Sequence, residues 1–466
     1  MEFKDTISKL EPEIVKSIQE AVRIKSVEEE PLPGMPFGKG SYMALDFMLK
    51  LGESMGFSTK NLDGYAGHID FGEGNETVGI LAHVDVVPEG DGWTYPPYGG
   101  EIHDGKIFGR GTMDDKGPAV IALYAMKALA DSGVIPGRRI RLILGANEES
   151  RWECMKHYFE NEDPPTMAFT PDADFPVIHG EKGITGFDLK FPYKGTENSD
   201  ITLLDIKGGN ATNMVPDRAW ASLNVKDKSL FISQFEDYIK NKDFQIDLEE
   251  TYKGFEVTAK GKSAHGSTPS KGENAISYLM DFLGFVYSGQ CPVCRFIDFY
   301  NNRIAFKHHG EGIGCALEDE LSGKLDFNPG LISYDGSHIV LSVNVRYPIS
   351  SSAKEVFIGV RENIKDTPID LKEGAIDSKP LYVPKENELV KTLMKVYREK
   401  TGDLDSEPIT IGGGTYARAM SNAVAFGPVF PGQEELAHQK DENITIENVI
   451  KLTEIYSHAL YELVQQ

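Results

Sequence analysis

The chain has 466 residues, and its 48 Lys and Arg against 72 Asp and Glu leave a formal charge of −24. That sign repels phosphate backbones and anionic lipid, so neither nucleic acid nor a membrane is an expected partner. A chain of this length with 40% apolar residues outgrows one ordinary core and predicts two domains.

The opening stretch MEFKDTISKLEPEIVKSIQEAVRI mixes charges into a helical pattern without the apolar run of a signal peptide. No later stretch approaches the ~18 apolar residues of a spanning helix. A soluble, cytoplasmic protein is expected. Helical spacing over residues 44–57 predicts a helix ended by Gly56. GILAHVDVVPEGDGW, residues 79–93, then reads as a buried strand breaking into a Pro/Gly-rich loop. PAVIALYAMKALADSG predicts a helix with Pro118 in its first turn and Gly133 at its end, and RRIRLILGANEES a buried strand ending in acids. Strand, helix, strand in this rhythm predicts a largely parallel α/β sheet whose ligand site lies at the carboxyl ends of its strands.

From about residue 186 the texture changes to short alternating runs, GFDLKFPY, TLLDI, RAWASLNV, GFEVTAKGK and HIVLSVNVRYP, with a helix at ENAISYLMDFLGFVY. The α/β style returns over residues 385–466. The expected organisation is an α/β domain built from residues 1–185 and 385–466, interrupted by an α+β domain over 186–384. Four cysteines in so long a chain do not make a disulfide framework. Cys291 and Cys294, in QCPVCRF, lack a second pair or a nearby histidine at zinc spacing and are expected as two small thiols. His308 and His309 match no usable motif and are expected to be solvated. IGGGTYAR lacks the G-K-[ST] ending of a phosphate cradle, so nucleotide binding is not expected.

The candidate chemistry begins with His83 and Asp85. Residues i and i+2 of a strand share a side, so Asp85 can fix the ring of His83, as a metal-binding histidine requires. A core histidine satisfied by a carboxylate reads the same way. GRGTMDDKG places Asp114 and Asp115 in a Gly-rich loop before a helix, where acids also serve as caps. Glu148 and Glu149 end the next strand, and one can bind metal while its neighbour moves a proton. PDADFPVIHGEKG offers Asp172 and Asp174, and PGQEELAHQ offers His438. Each alone reads as loop polarity. Together His83, Asp114, Glu149, Asp172 and His438 are the donors that two divalent ions ~3.5–4 Å apart need if one aspartate bridges them. Two imidazoles and three carboxylates without a thiolate suit Zn²⁺, Mn²⁺ or Co²⁺.

The motifs LAHVDVVPEGDGW, GRGTMDDKGP, NEES, PDADFPVIHGEKG, GKSAHGSTP and GGGTYARAM…GPVFPGQEELAHQ run in order across nearly the whole chain. In this the chain resembles the aminoacylase/carnosinase family of two-metal peptidases, closest to the bacterial dipeptidases of the peptidase V type. The resemblance implies a zinc-exopeptidase-like α/β catalytic domain with an inserted α+β lid domain. It implies two divalent ions, Zn²⁺ first and Mn²⁺ or Co²⁺ as alternatives, with Asp114 bridging, His83 and Asp172 completing one site, and Glu149 and His438 the other. Glu148 becomes the general base and Asp85 the partner of His83. By the same analogy His265 of SAHGSTP stabilises the oxyanion and Arg346 of NVRYP holds the substrate carboxylate. Asn213, Gly413 and Gly414 are further substrate contacts. The implied activity is hydrolysis of unblocked dipeptides by a monomer whose lid imitates the partner subunit of dimeric relatives. The alternatives are an N-acyl amino acid deacylase or carboxypeptidase of the same family, and a non-catalytic peptide- or metal-binding module. Asn147 stands where an aspartate is common in the closest relatives.

Overall fold

Uninterrupted runs of Val, Ile, Leu and Ala form strands covered on both faces, and these runs organise the first half of the chain. The computed structural model describes residues 1–195, 200–240, 242–287 and 291–465. It divides into two compact units, one of residues 1–179, 382–409 and 415–466, the other of residues 180–381 with 410–414.

The first unit opens with helices α1 (Lys4–Val22) and α2 (Lys39–Ser54). Strands β1 (Ser58–Leu62), β2 (Ala66–Phe71) and β3 (Thr77–His83) follow, then a short antiparallel pair, β4 (Glu101–His103) and β5 (Lys106–Phe108). Helix α3 (Lys116–Asp131) leads to β6 (Arg139–Gly145), α4 (Glu153–Asn161) and β7 (Met167–Thr170). The sheet runs β1, β2, β6, β3, β7 and then Ala423–Ala425. Its centre is parallel, with β3 between β6 and β7 and Ala423–Ala425 beside β7, while β1 and β2 continue it antiparallel at one edge.

Helix α3 is apolar nearly all round, because it is buried between α1 and the C-terminal helix Ile446–Val464. Its start is set by backbone proximity: a Cβ at Gly117 would lie 2.0 Å from the Thr112 carbonyl, so only glycine lets the helix leave the preceding loop here. At the other end Gly133 adopts φ +73° just past the C-cap.

The second unit is built on an antiparallel sheet in the order Ile246–Thr251, Gly254–Lys260, Arg218–Val225, Ile201–Gly208, Asp326–Tyr334, His338–Tyr347, Gly183–Pro192, Asp370–Ser378. Burial alternates residue by residue along its central strands, so one face is packed, with helices Ala275–Val286 and Ala353–Ile364 against it. The chain is thus an α/β domain with an α+β insertion. Residues 410–414 pack with the second unit although the residues on either side belong to the first.

Two expectations are corrected. Cys291 and Cys294 are joined in a disulfide, with Cα atoms 5.0 Å apart. Cys291 caps helix Pro292–Arg303 and Cys294 lies in its first turn, so the i, i+3 spacing puts both sulfurs together. His308 and His309 are half-buried rather than solvated, and His309 Nδ1 lies 2.9 Å from the Leu325 carbonyl oxygen. Among the described residues no helix is long and apolar enough to cross a membrane.

Leu142 is fully buried at the centre of β6, paired to β2 on one side and β3 on the other. Leu142→Ala is expected to destabilise the protein by about 2–5 kcal/mol, read as a lowered denaturant midpoint. A loss below about 1 kcal/mol would contradict this placement of the core.

Candidate active site

Parallel pairing puts the carboxyl ends of β6, β3 and β7 side by side, with His83 opposite Gly145. Whatever follows those ends converges. His83 is the last residue of β3, Glu148 and Glu149 follow β6, and Asp172 follows β7. The loop between β5 and α3 adds Asp114, and the segment before the C-terminal helix adds His438.

Asp114 stands at the middle. Its Oδ1 lies 3.0 Å from His83 Nε2 and its Oδ2 lies 3.0 Å from His438 Nε2, so the two oxygens face two different imidazoles. His438 Nε2 is also 3.1 Å from Glu149 Oε2, and His83 Nε2 is 3.7 Å from Asp172 Oδ2. One ligand atom each from His83, Asp114 and Glu149 falls within a 4.8 Å cluster. All five expected donors are therefore brought together.

Asp85 does more than orient a ring. His83 Nδ1 meets the Asp85 carbonyl at 3.0 Å and its carboxylate at 3.5 Å. The two carboxylate oxygens of Asp85 accept from the backbone N–H groups of Glu148 and Glu149, each at 3.0 Å. A single buried carboxylate thus fixes the histidine that ends β3 and the glutamate pair after β6. The same turn is shaped by Asn147, whose Oδ1 accepts from Glu153 N–H at 3.2 Å and whose Nδ2 donates to Ser150 Oγ. Its amide serves the turn, so an aspartate is not needed there for that geometry. Asp115, read from the sequence only as a possible helix cap beside Asp114, accepts from His83 N–H at 3.1 Å. Adjacency to Asp114 was its only signal.

The electrostatics follow from crowding. Burial pushes Glu148 well above the usual carboxylate range, with Asp172, Glu149 and Asp114 adding and His83 opposing. Burial does the same to Asp172 and Asp115, and it also raises Glu149. Asp114 is the exception, because hydrogen bonds from His438 and His83 outweigh its burial and hold it low. Burial alone would lower His438, but Asp114 and Glu149 raise it to about 11. Acids packed this closely call for compensating positive charge, and oxygen and imidazole donors without a thiolate fit divalent cations. A second acid and histidine cluster, Glu2, Glu454 and His458, differs: Lys400 Nζ lies 3.1 Å from Glu454 and 3.7 Å from Glu2 and already supplies a cation to both.

The remaining expected residues belong to the second unit. The segments of Asn213 and His265 are paired there, with Met214 bridged to His265, Gly266 N–H donating to the Asn213 carbonyl at 2.7 Å and His265 Nδ1 2.6 Å from Ser267 Oγ. Arg346 is 4% exposed; its Nε donates to Asn344 Oδ1 at 2.9 Å and its Nη1 to the Gly412 carbonyl at 3.2 Å. That places Arg346 at the glycine turn that includes Gly413 and Gly414.

Similarity to known proteins covers nearly the whole chain. A Bacillus subtilis (strain 168) protein described as "Putative dipeptidase YtjP" is 39% identical over 99% of this chain and 100% of its own length. A Staphylococcus haemolyticus (strain JCSC1435) protein, also described as a dipeptidase in the same terms, is 39% identical over 99% of both chains. The fold is shared with human carnosine dipeptidase 1, at TM-score 0.61 and 14% identity over 100% of this chain and 98% of that one. It is shared too with aminoacylhistidine dipeptidase from Vibrio alginolyticus, at TM-score 0.57 and 14% identity over 98% of both chains. Residues 79–462 match the sequence pattern of peptidase family M20/M25/M40, and the chain belongs to that family.

Proposed function

We propose that this metallopeptidase is a dipeptidase that hydrolyses unblocked dipeptides at a pair of divalent ions. The observation that carries the reading is Asp114, whose two oxygens each face a different imidazole at 3.0 Å. In this reading His83, Asp114 and Asp172 hold one ion, and Asp114, Glu149 and His438 hold the other. Zn²⁺ is the first choice, and Mn²⁺ or Co²⁺ suit the same donors. When bound, such ions polarise a peptide carbonyl and make water more acidic.

Glu148 takes the proton of the attacking water and passes it to the leaving amine. Its backbone is fixed by Asp85, which accepts from the Glu148 N–H at 3.0 Å. His265 stabilises the oxyanion of the tetrahedral intermediate. Arg346 reads the substrate's terminal carboxylate with a planar fork that a lysine would not offer, and Asn213, Gly413 and Gly414 supply further contacts. The acids around the centre recognise the free α-amino group, which limits the substrate to short, unblocked peptides. The second unit acts as a lid and takes the place of a partner subunit, so the working form is a monomer. The curated relatives named above support a dipeptide substrate.

Glu148→Gln is expected to retain metal while kcat falls by about 10²–10⁴-fold; turnover near wild type would remove Glu148 from its role. Metal-stripped protein reloaded with Zn²⁺, Mn²⁺ or Co²⁺ is expected to cleave unblocked dipeptides, β-Ala-His among the panel, and to spare N-acetyl amino acids and a tetrapeptide. Cleavage confined to acylated substrates would make the protein a deacylase. Arg346→Met is expected to weaken transition-state stabilisation by about 2–5 kcal/mol, read as loss of kcat/KM on dipeptides with free carboxylates and little change on their amides. Equal losses on both would assign Arg346 to the sheet alone.

A further inference from the structure

The loop that presents Asp114 is wound around a buried carboxylate that the reaction itself does not use. The backbone N–H groups of Gly111, Met113 and Asp114 all donate to one oxygen, Glu442 Oε1, at 3.0, 2.9 and 3.2 Å. The other oxygen, Oε2, accepts from Arg110 Nη1 at 2.6 Å. Glu442 is fully buried and Arg110 is 2% exposed.

Glu442 reaches this position by strand addition. Residues Asn443–Thr445 pair antiparallel with β5, and Gly109 N–H donates to the Glu442 carbonyl at 2.9 Å. His438 lies four residues upstream on the same segment. Between them Asp441 accepts from Thr94 N–H and Oγ1 at 2.7 and 2.9 Å. His438 and Asp441 have φ of 62° and 59°, a left-handed conformation that a non-glycine residue keeps only where its surroundings hold it. Glu442 therefore touches both halves of the central contact: the backbone of Asp114 directly, and the segment of His438 through the chain.

A further negative charge beside an acidic centre works against cation-free folding, since Asp114 and Glu442 repel. Three convergent N–H groups and a guanidinium offset that repulsion. A merely structural ion pair could sit anywhere in the core. This one accepts from the N–H of Asp114 itself.

We propose that Glu442, with Arg110 as its counter-ion, is a positioning residue for the metal centre: its Oε1 fixes the Asp114 loop so that one carboxylate reaches both His83 and His438. This rests on the two-ion reading given above.

The test compares two double variants of similar volume and equal charge. Arg110→Met with Glu442→Gln removes the ion pair but keeps an acceptor oxygen for the three N–H groups; Arg110→Met with Glu442→Leu removes both. Each is titrated with Co²⁺, following stoichiometry and the visible d–d absorption, with kcat and KM on an unblocked dipeptide measured alongside. The glutamine variant is expected to bind Co²⁺ with the wild-type spectrum. The leucine variant is expected to lose about 10–100-fold in Co²⁺ affinity, with a changed spectrum and a fall in kcat at nearly constant KM. Identical Co²⁺ titrations and spectra for the two would overturn the proposal and leave a structural ion pair.

If the leucine variant does not fold, Glu442→Asp, which keeps the charge but draws it back by one methylene, is expected to show the same spectral change. A wild-type spectrum and affinity there would equally overturn the proposal. Wild-type stoichiometry is a separate readout. A single Co²⁺ per chain would end the two-ion reading, while the comparison between variants would still decide whether Glu442 positions Asp114.

Discussion

The structure depends on keeping several carboxylates together at a centre only partly open to water. Asp114 is the focus: two imidazoles approach its two oxygens at 3.0 Å, and only under their influence does it stay ionised while its acid neighbours are pushed toward the protonated form. Such a cluster is unfavourable for folding on its own account, because burial disfavours every negative charge it contains. Its persistence is intelligible as preparation for a cation, whose binding displaces protons from carboxylates and imidazoles alike. The polar groups nearby serve this end. Asp85 spends both oxygens on the backbone of Glu148 and Glu149, and Asp115 secures the backbone of His83.

The fold supplies the convergence cheaply. Three parallel strands deliver His83, the glutamate pair and Asp172 to one edge, because residues that follow neighbouring parallel strands must emerge together. The second unit interrupts this body with little disturbance. His179 and Val383, at its points of departure and return, are hydrogen-bonded neighbours: Val383 N–H donates to the His179 carbonyl at 2.8 Å, and the His179 ring lies 2.8 Å from the Val383 carbonyl oxygen. An insertion whose ends are held side by side leaves the sheet's own pairing intact, and loop-closure entropy grows only slowly with the length inserted. The C-terminal segment can therefore return to complete the centre with His438.

What the sequence made legible follows from the same physics. Strands buried on both faces read as apolar runs, and an acid pair or a histidine at the end of such a run stands out because nothing in a core explains it. His83, Glu148 and Glu149 were visible for that reason; Asp114, Asp172 and His438, on polar loops, stood out only in combination and through the long family motifs. The edge strand Asp370–Ser378 was not visible: it is almost wholly exposed and carries no hydrophobic pattern. Helices Lys228–Ile239 and Pro292–Arg303 were also missed, and the disulfide at the second became evident only once helical geometry put i and i+3 on one side. Residues 410–414 could not be assigned from texture, since which unit a glycine turn packs against is a tertiary fact. Glu442 was overlooked because a single glutamate in a polar segment looks solvated, and only the strand pairing beside it reveals that it is buried.

Under the proposed function the two units divide the work by charge. The first concentrates anionic groups, which hold cations and favour a substrate's free amine; the same groups repel a carboxylate, as does a chain of net charge −24. Recognition of the substrate's other end therefore needs a local cation shielded from that field. Arg346 meets the requirement within the second unit, where burial and bonds to Asn344 and Gly412 fix its guanidinium before any ligand arrives. A side chain already ordered loses little entropy on binding, so its interaction energy goes into discrimination. On that proposal a dipeptide suits the chemistry because it presents both charges flanking a single scissile bond.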